Sequence, residues 1–341
     1  MKAIVMAGGF GTRLRPLTIN VPKPMVPICN APMMEHVVAL LKRHGITEIT
    51  SVLYFQADAI RDYFGDGSAF GVSMSYAKPD EDFGTAGAVR YALTDASEPV
   101  LVISGDLATD FDLSEAINWH REKQSEATVL LTRMENPLPY GITITDTDGR
   151  IVRFLEKPSW GEAFSDTINT GIYILEPAAI KMIPPRTNFD FSQNLFPLLL
   201  ARKMGLYGKI MTGYWKDVGN VDEYYNAHID YIEGRLHIDL NAECSEGDGH
   251  TVCKGKNVHI DNDVKLTGKV IIGNDVTIQS GAELHNCVIG HRSRIGRRCK
   301  IKGTIIWSDN QIGDETVMHR SIVCDRSRLG QNVQLLDNVI V

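Results

Sequence analysis

From Val258 onward the chain steps in sixes. Apolar anchors fall at Ile272, Ile278 and Leu284, then at Ile289, Ile295 and Ile301, at Ile306, Ile312 and Met318, and at Val323, Leu329 and Leu335. Each triplet begins 17 residues after the one before it. Gly273, Gly290, Gly296, Gly313 and Gly330 directly follow an anchor, and small residues such as Cys287, Ser293, Cys299 and Thr304 stand two before one. The pattern describes a triangular coil with one inward anchor per side, each coil stacked on the next. Ile260 and Leu266 belong to an incomplete first coil. Such coils bury apolar surface only against their neighbours, so their ends need a cap or a partner. Val341 falls on the next step with nothing covering it, which predicts either a chain cut from a longer one or a last coil that meets a partner. Flat, uncovered sides predict a homo-oligomer built through this region.

Before the repeat, short apolar runs alternate with helical patterns. That βα rhythm predicts an α/β domain, a mostly parallel sheet flanked by helices. Strands are expected at Ile49–Leu53, Val72–Ala77, Ala127–Arg133 and Tyr207–Met211, and helices at Ala57–Phe64 and over 113–123 and 221–233. We expect a domain over 1–235, a linker over 236–251 and the repeat domain over 252–341.

The first strand, Ala3 to Ala7, runs into Gly8, Gly9 and Gly11. A glycine turn behind a buried strand lets backbone N–H groups approach an anion, since no Cβ stands in the way. Arg13, Arg15 and Lys23 follow, the last in a Pro-Lys-Pro frame that keeps the chain extended. Three cations behind such a turn describe a polyphosphate site. It is neither a P-loop, which needs G-x-x-x-x-G-K-[ST], nor a dinucleotide fingerprint, whose third glycine is replaced by Leu14. Pro99 to Ser104 is a fully apolar strand ending in Gly105-Asp106. A carboxylate at a strand's carboxyl end, facing a polyphosphate, is placed to hold Mg²⁺. Asp112 with Glu115 fits a helix capping box instead.

The string G-G-x-G-T-R-L-x-P-L-T followed by P-K-P-M resembles the signature of the sugar-1-phosphate nucleotidyltransferases, the NDP-sugar pyrophosphorylases. The stretch 1–230 carries the resemblance, and the repeat looks like the hexapeptide left-handed β-helix. The likeness implies a Rossmann-like nucleotidyltransferase domain and a reaction in which an NTP and a sugar 1-phosphate give an NDP-sugar and pyrophosphate. It implies that Gly8, Gly9, Gly11 and Thr12 cradle phosphates, with Arg13 on the leaving β,γ-phosphates and Lys23 on the α-phosphate. The nucleobase is expected at Asp80 to Gly87, with Glu81, Gly84 and Thr85 as contacts and the N–H groups of the following helix facing base or phosphate. Gly84-Thr85-Ala86-Gly87 looks most like the guanylyltransferase branch, and a carboxylate suits guanine's adjacent N–H donors. A solvated acidic loop is the other reading of those acids.

Phe154-Leu155-Glu156-Lys157-Pro158 and Asn169-Thr170-Gly171-Ile172-Tyr173 resemble the family's segments for the sugar and its phosphate. Lys157 then meets the phosphate, with Glu156 and Asn169 on hydroxyls, and Tyr140, Gly141 and Gly171 around them. Thr170 departs from the commoner alanine. Trp215-Lys216-Asp217-Val218-Gly219 resembles the motif whose aspartate is the second Mg²⁺ ligand, here Asp217, and Lys216 is untypical of it. GTP with mannose 1-phosphate is the expected pair. Alternatives are thymidylyl-, adenylyl- or uridylyltransfer to glucose 1-phosphate, a non-catalytic regulatory subunit, and an acyltransferase using a histidine of the repeat such as His285, His291 or His319.

Charge bounds the partners. The net charge is −7, and residues before 250 hold 22 Lys/Arg against 33 Asp/Glu. That acidity argues against nucleic-acid binding, so a phosphate ligand must rest on a few placed cations. No apolar run suits a membrane span. Six cysteines without metal spacing or a secretion signal read as reduced thiols in a cytoplasmic protein.

Overall fold

The structure is a computed structural model in which residues 1–93, 97–247 and 249–341 are described. Asp248, within the expected linker, lies outside them. The chain forms two compact units. The first comprises residues 1–10, 22–25 and 34–217, and the second comprises 11–21, 26–33 and 218–341.

The first unit is built on one sheet. In chain order its elements are β1 (Lys2–Ala7), α1 (Met33–Arg43), β2 (Glu48–Leu53), α2 (Ala57–Phe64), β3 (Ser73–Ala77), α3 (Gly84–Ala92), β4 (Val100–Ser104), β5 (Leu107–Thr109), α4 (Leu113–Glu122), β6 (Ala127–Arg133), β7 (Gly141–Thr145), β8 (Ile151–Glu156), β9 (Thr167–Leu175), α5 (Phe196–Ala201), β10 (Leu206–Ile210) and β11 (Trp215–Asp217). The strand order is β8-β7-β9-β4-β1-β2-β3, and β6 joins β9 to β10. β4, β1, β2 and β3 run parallel, as the βα rhythm requires. β9 runs antiparallel to β4, β6 and β7, so the far half of the sheet is mixed. The sheet's centre is fully apolar, with Ala3, Ile4, Val5, Leu101, Val102 and Ile103 wholly buried. Because β1 sends the chain first to β2 and then, two strands later, to β4 on its other side, the crevice beyond its carboxyl end is where a ligand can enter.

Asp112 caps α4 as expected, accepting the Glu115 N–H at 3.0 Å. The last helix, α6 (Val221–Ile232), is capped by Asn220, which leaves Asp217 outside that role.

The second unit is the β-helix. Parallel ladders run Ile278, Ile295, Ile312, Leu329 on one side and Leu284, Ile301, Met318, Leu335 on the next. Ile289, Ile306, Val323 and Ile340 form the third. The first coil is incomplete, as expected: Ile260 pairs with Ile278 and Leu266 with Leu284, but on the third side exposed Lys254, not an apolar residue, stands opposite the anchor Ile272. Its extra residue is absorbed where the register shifts between Thr267 and Val270.

One side of the prism is not flat and open. The outward residues Ile271, Val288, Ile305 and Ile322 are at most 3 % exposed, because α6 and the hairpin Pro27–Pro32 cover them. Tyr225 donates to the Gly303 carbonyl, Trp307 Nε1 to Tyr224 Oη, and Asn30 Nδ2 to the Ile289 carbonyl.

The expectation of six reduced thiols needs correction. Cys29, Cys287, Cys299 and Cys324 are free and buried, but Cys244 and Cys253 form a disulfide. The hairpin of Glu243–Gly247 and His250–Lys254 sets them directly opposite, with Cα atoms 3.9 Å apart. That hairpin occupies much of the expected linker. Among the described residues no helix is long and apolar enough to cross a membrane.

Candidate active site

Three strand ends of the first unit open into one cavity of about 620 Å³. Gly8, Gly9 and Phe10 reach it from β1, Tyr54 from β2 and Asp106 from β4. Glu81 to Thr85, ahead of and opening α3, form another wall, and Asp190 and Gln193 a further one. The glycine turn, the base loop and the strand-end aspartate, far apart in sequence, therefore face one space.

Asp106 and Asp217 are brought together by a small antiparallel pair. β11 lies against β5 with Asp217 opposite Leu107, the residue after Asp106. Both carboxylates reach one cation: Lys23 Nζ pairs with Asp106 and stands 3.4 Å from Asp217. Lys23 is only 8 % exposed. Burial works against its charge, but the two carboxylates more than offset that cost and hold its pKa above the usual lysine value. Among the described residues no cluster of three or more metal-capable side chains exists. Two carboxylates sharing one cation suit a hard divalent ion that takes its remaining ligands from phosphate oxygens and water.

The opposite side of the sheet gathers the second set of expected residues. Glu156 ends β8 and Gly141 begins β7 beside it; a Cβ on Gly141 would lie 2.6 Å from the Glu156 carboxylate. The Lys157 N–H donates to the Tyr140 carbonyl at 3.1 Å, while its side chain is exposed. Asn169 Oδ1 accepts the Gly171 N–H, and its Nδ2 donates to Tyr173 and Ser192 hydroxyls at 3.1 and 3.2 Å. Burial pushes the Glu156 carboxyl upward, opposed by a hydrogen bond from Ser192 and by the Lys157 charge. Trp215 joins this side to the aspartates: its indole N–H donates to the Thr170 carbonyl at 2.9 Å, its ring meets Tyr140 edge-on at 5.4 Å, and Asp217 follows two residues later.

Gly11, Thr12 and Arg13 fall in the second compact unit. Gly11 stands at φ +64°, and Thr12–Leu14 form a single 3₁₀ turn with Thr12 and Arg13 exposed.

The base loop differs from expectation in one respect. The N–H groups opening α3 do not all face the cavity: those of Ala86 and Gly87 both donate to the Phe189 carbonyl at 2.9 Å, and that of Gly84 to Asp82 Oδ1. Gly84 (φ +65°) is needed for this packing, since a Cβ there would sit 2.9 Å from the Phe189 oxygen. The segment 187–193, which supplies that carbonyl as well as Asp190 and Ser192, carries no motif that sequence reading could single out. The histidines of the repeat act structurally where their bonds are seen: His291 Nδ1 accepts the Asn274 N–H and His285 Nδ1 bonds Thr267.

Residues 2–234 match the family model described as nucleotidyl transferase, and residues 249–341 match that of the EIF2B subunit epsilon LbH domain. A UTP–glucose-1-phosphate uridylyltransferase of Synechocystis sp. is 34 % identical over 90 % of this chain and 87 % of its own length. Mannose-1-phosphate guanylyltransferase 1 of Arabidopsis thaliana is 29 % identical, with 98 % of each chain covered. Among solved structures, a crystal structure from Bacillus anthracis, described as a glucose-1-phosphate thymidylyltransferase in complex with a sucrose, superposes with TM-score 0.61 and 28 % identity. It covers 67 % of this chain and 93 % of its own.

Proposed function

This chain belongs to the nucleotidyl transferase family, and from that premise we propose that it makes GDP-mannose from GTP and mannose 1-phosphate. The reaction class, transfer of a nucleotidyl group to a sugar 1-phosphate, follows from the family and from its relatives. The choice of base rests on one observation: Glu81 is an exposed carboxylate in the wall of the cavity. A carboxylate accepts two parallel hydrogen bonds, and guanine presents two adjacent N–H donors on one edge where uracil presents one. Several full-length relatives are named mannose-1-phosphate guanylyltransferases. The second reading, uridylyl transfer to glucose 1-phosphate, draws on the Synechocystis relative.

In this reading a phosphate oxygen of the sugar 1-phosphate attacks the α-phosphorus in line and pyrophosphate leaves. The nucleophile is an anion at neutral pH, so no general base is required, and catalysis consists of positioning and charge neutralisation. Gly8, Gly9, Gly11 and Thr12 hold the phosphates and Arg13 the leaving β,γ-phosphates. Lys23, buried between Asp106 and Asp217, neutralises the α-phosphate. Lys157 binds the sugar phosphate, and Tyr140, Gly141, Glu156, Asn169 and Gly171 surround the sugar. Asp106 and Asp217 hold Mg²⁺, which supplies positive charge against the phosphates. We divide the chain into a catalytic part, 1–235, a connecting part, 236–251, and a β-helix, 252–341, through which it forms a homo-oligomer. The compartment that fits these substrates is the cytoplasm; the four buried free thiols agree with it, and the Cys244–Cys253 disulfide does not.

Pyrophosphate release measured across all pairs of nucleoside triphosphate and sugar 1-phosphate tests the assignment. GTP with mannose 1-phosphate should give the highest kcat/KM; a clear preference for UTP with glucose 1-phosphate replaces it with the second reading. Light scattering on the full chain should give more than one subunit, and a monomer would remove the assembly.

A further inference from the structure

The segment between the short helix Pro177–Ile180 and α5 touches both halves of the site. Its first half is bound to the base loop: Phe189 exchanges N–H and C=O bonds with Phe83, Ala86 and Gly87, and Asn188 Nδ2 donates to the Asp82 carbonyl. Its second half reaches the sugar side: Ser192 Oγ accepts from Asn169 Nδ2 at 3.2 Å.

Asp190 joins the halves. Its Oδ1 accepts the N–H groups of Ser192 and Gln193 at 2.7 and 3.0 Å, which fixes the turn Phe191–Leu195 that presents Ser192. Its Oδ2 accepts the Thr85 hydroxyl at 2.7 Å, and Thr85 Oγ1 in turn accepts the Phe191 N–H at 3.0 Å. Ser192 is buried and Asp190 half-buried, while Thr85 is exposed at the cavity wall.

We propose that Asp190 is a positioning residue for both substrates, holding Thr85 on the nucleotide side with one oxygen and Ser192, hence Asn169, on the sugar side with the other. The proposal rests on the assignment of those two sides given above. It places the fit of each substrate under one carboxylate that performs no chemistry.

The two oxygens can be tested separately in the full chain, with initial rates measured over both substrates of the best pair in the matrix. Asp190→Asn keeps an oxygen to cap Ser192 and Gln193 but sets an amide against the Thr85 hydroxyl, whose proton then has no acceptor. It should raise KM for the nucleotide by about 5- to 10-fold and leave KM for the sugar phosphate unchanged. Ser192→Ala should do the reverse, and Asp190→Ala should raise both, with kcat changing far less than either KM. An Asp190→Ala enzyme with only one KM altered, or with both unaltered and kcat reduced, overturns the proposal. If Asp190→Ala does not fold, the single-sided variants decide it: Ser192→Ala raising both KM values equally overturns it as well. A wild-type chain silent with every substrate pair sinks the functional assignment and this proposal together, whereas an active wild type with variants that behave otherwise sinks only the role of Asp190.

Discussion

In the sheet unit, Lys23 lies buried between two carboxylates that a small strand pair draws from positions 106 and 217. In the β-helix, Arg292–Asp309, Arg298–Glu315 and Arg320–Asp337 pair at 17-residue spacing with both partners substantially exposed. All six corner residues stand at positive φ, so the backbone conformation is repeated from coil to coil along with the charges. Exposed pairs of this kind contribute little to stability and read as a surface kept polar and in register. A buried cation with two converging carboxylates is another matter, because its desolvation must be offset within the protein. The difference separates charge that the repeat reproduces from coil to coil from charge that the fold assembles through long-range pairing.

The widest test of that separation is neutralisation. Asp106→Asn and Asp217→Asn should each lower turnover by a factor of about 10²–10³, the usual loss for one electrostatic group at a reacting centre. EDTA should abolish wild-type activity and Mg²⁺ restore it. The melting temperature should change little, since each variant leaves Lys23 one of its two carboxylates. Either variant retaining more than about a tenth of wild-type turnover at saturating Mg²⁺ removes that residue from the metal site.

A smaller effect is expected from a buried group of the same unit that lies away from the chemistry. His120 is 2 % exposed, bonded to Thr128 Oγ1 at 2.7 Å and Glu176 at 3.2 Å. Burial lowers its pKa from 6.5, more than Glu176 raises it. With the folded pKa depressed, the unfolded chain binds a proton that the folded chain resists, so stability is lost as pH falls below about 6.5. Denaturant midpoints between pH 7.5 and 5.5 should fall for the wild type and fall less steeply for His120→Gln. Parallel slopes would show that other groups carry the acid sensitivity. Smallest of all is Arg298→Ala at a β-helix corner, which should leave kinetics and melting temperature as they are. A tenfold loss of turnover there would erase the distinction drawn between the two regions.

Periodicity and local chemistry made much of this protein legible in advance. The six-residue step announced the β-helix because each coil repeats one side-chain environment, so the ladders at 278, 284 and 289 follow from spacing alone. The glycine turn after β1 and Asp106 after β4 were readable because an apolar strand and the polar residue at its end are neighbours in the chain. Tertiary structure alone decided the rest. Asp217 lies beside Asp106 only because Trp215–Asp217 pairs with Leu107–Thr109, a register set by strands with no local signature of each other. Cys244 and Cys253 meet through a hairpin register, and the third side of the prism is covered by a helix and a hairpin from outside the repeat. Asp190 and Ser192 look like ordinary polar residues in a polar stretch. They acquire a role because the fold lays their segment between the loop at 82–87 and the strand ends at 156 and 169, and a hydrogen bond depends on distance in space rather than on separation along the chain.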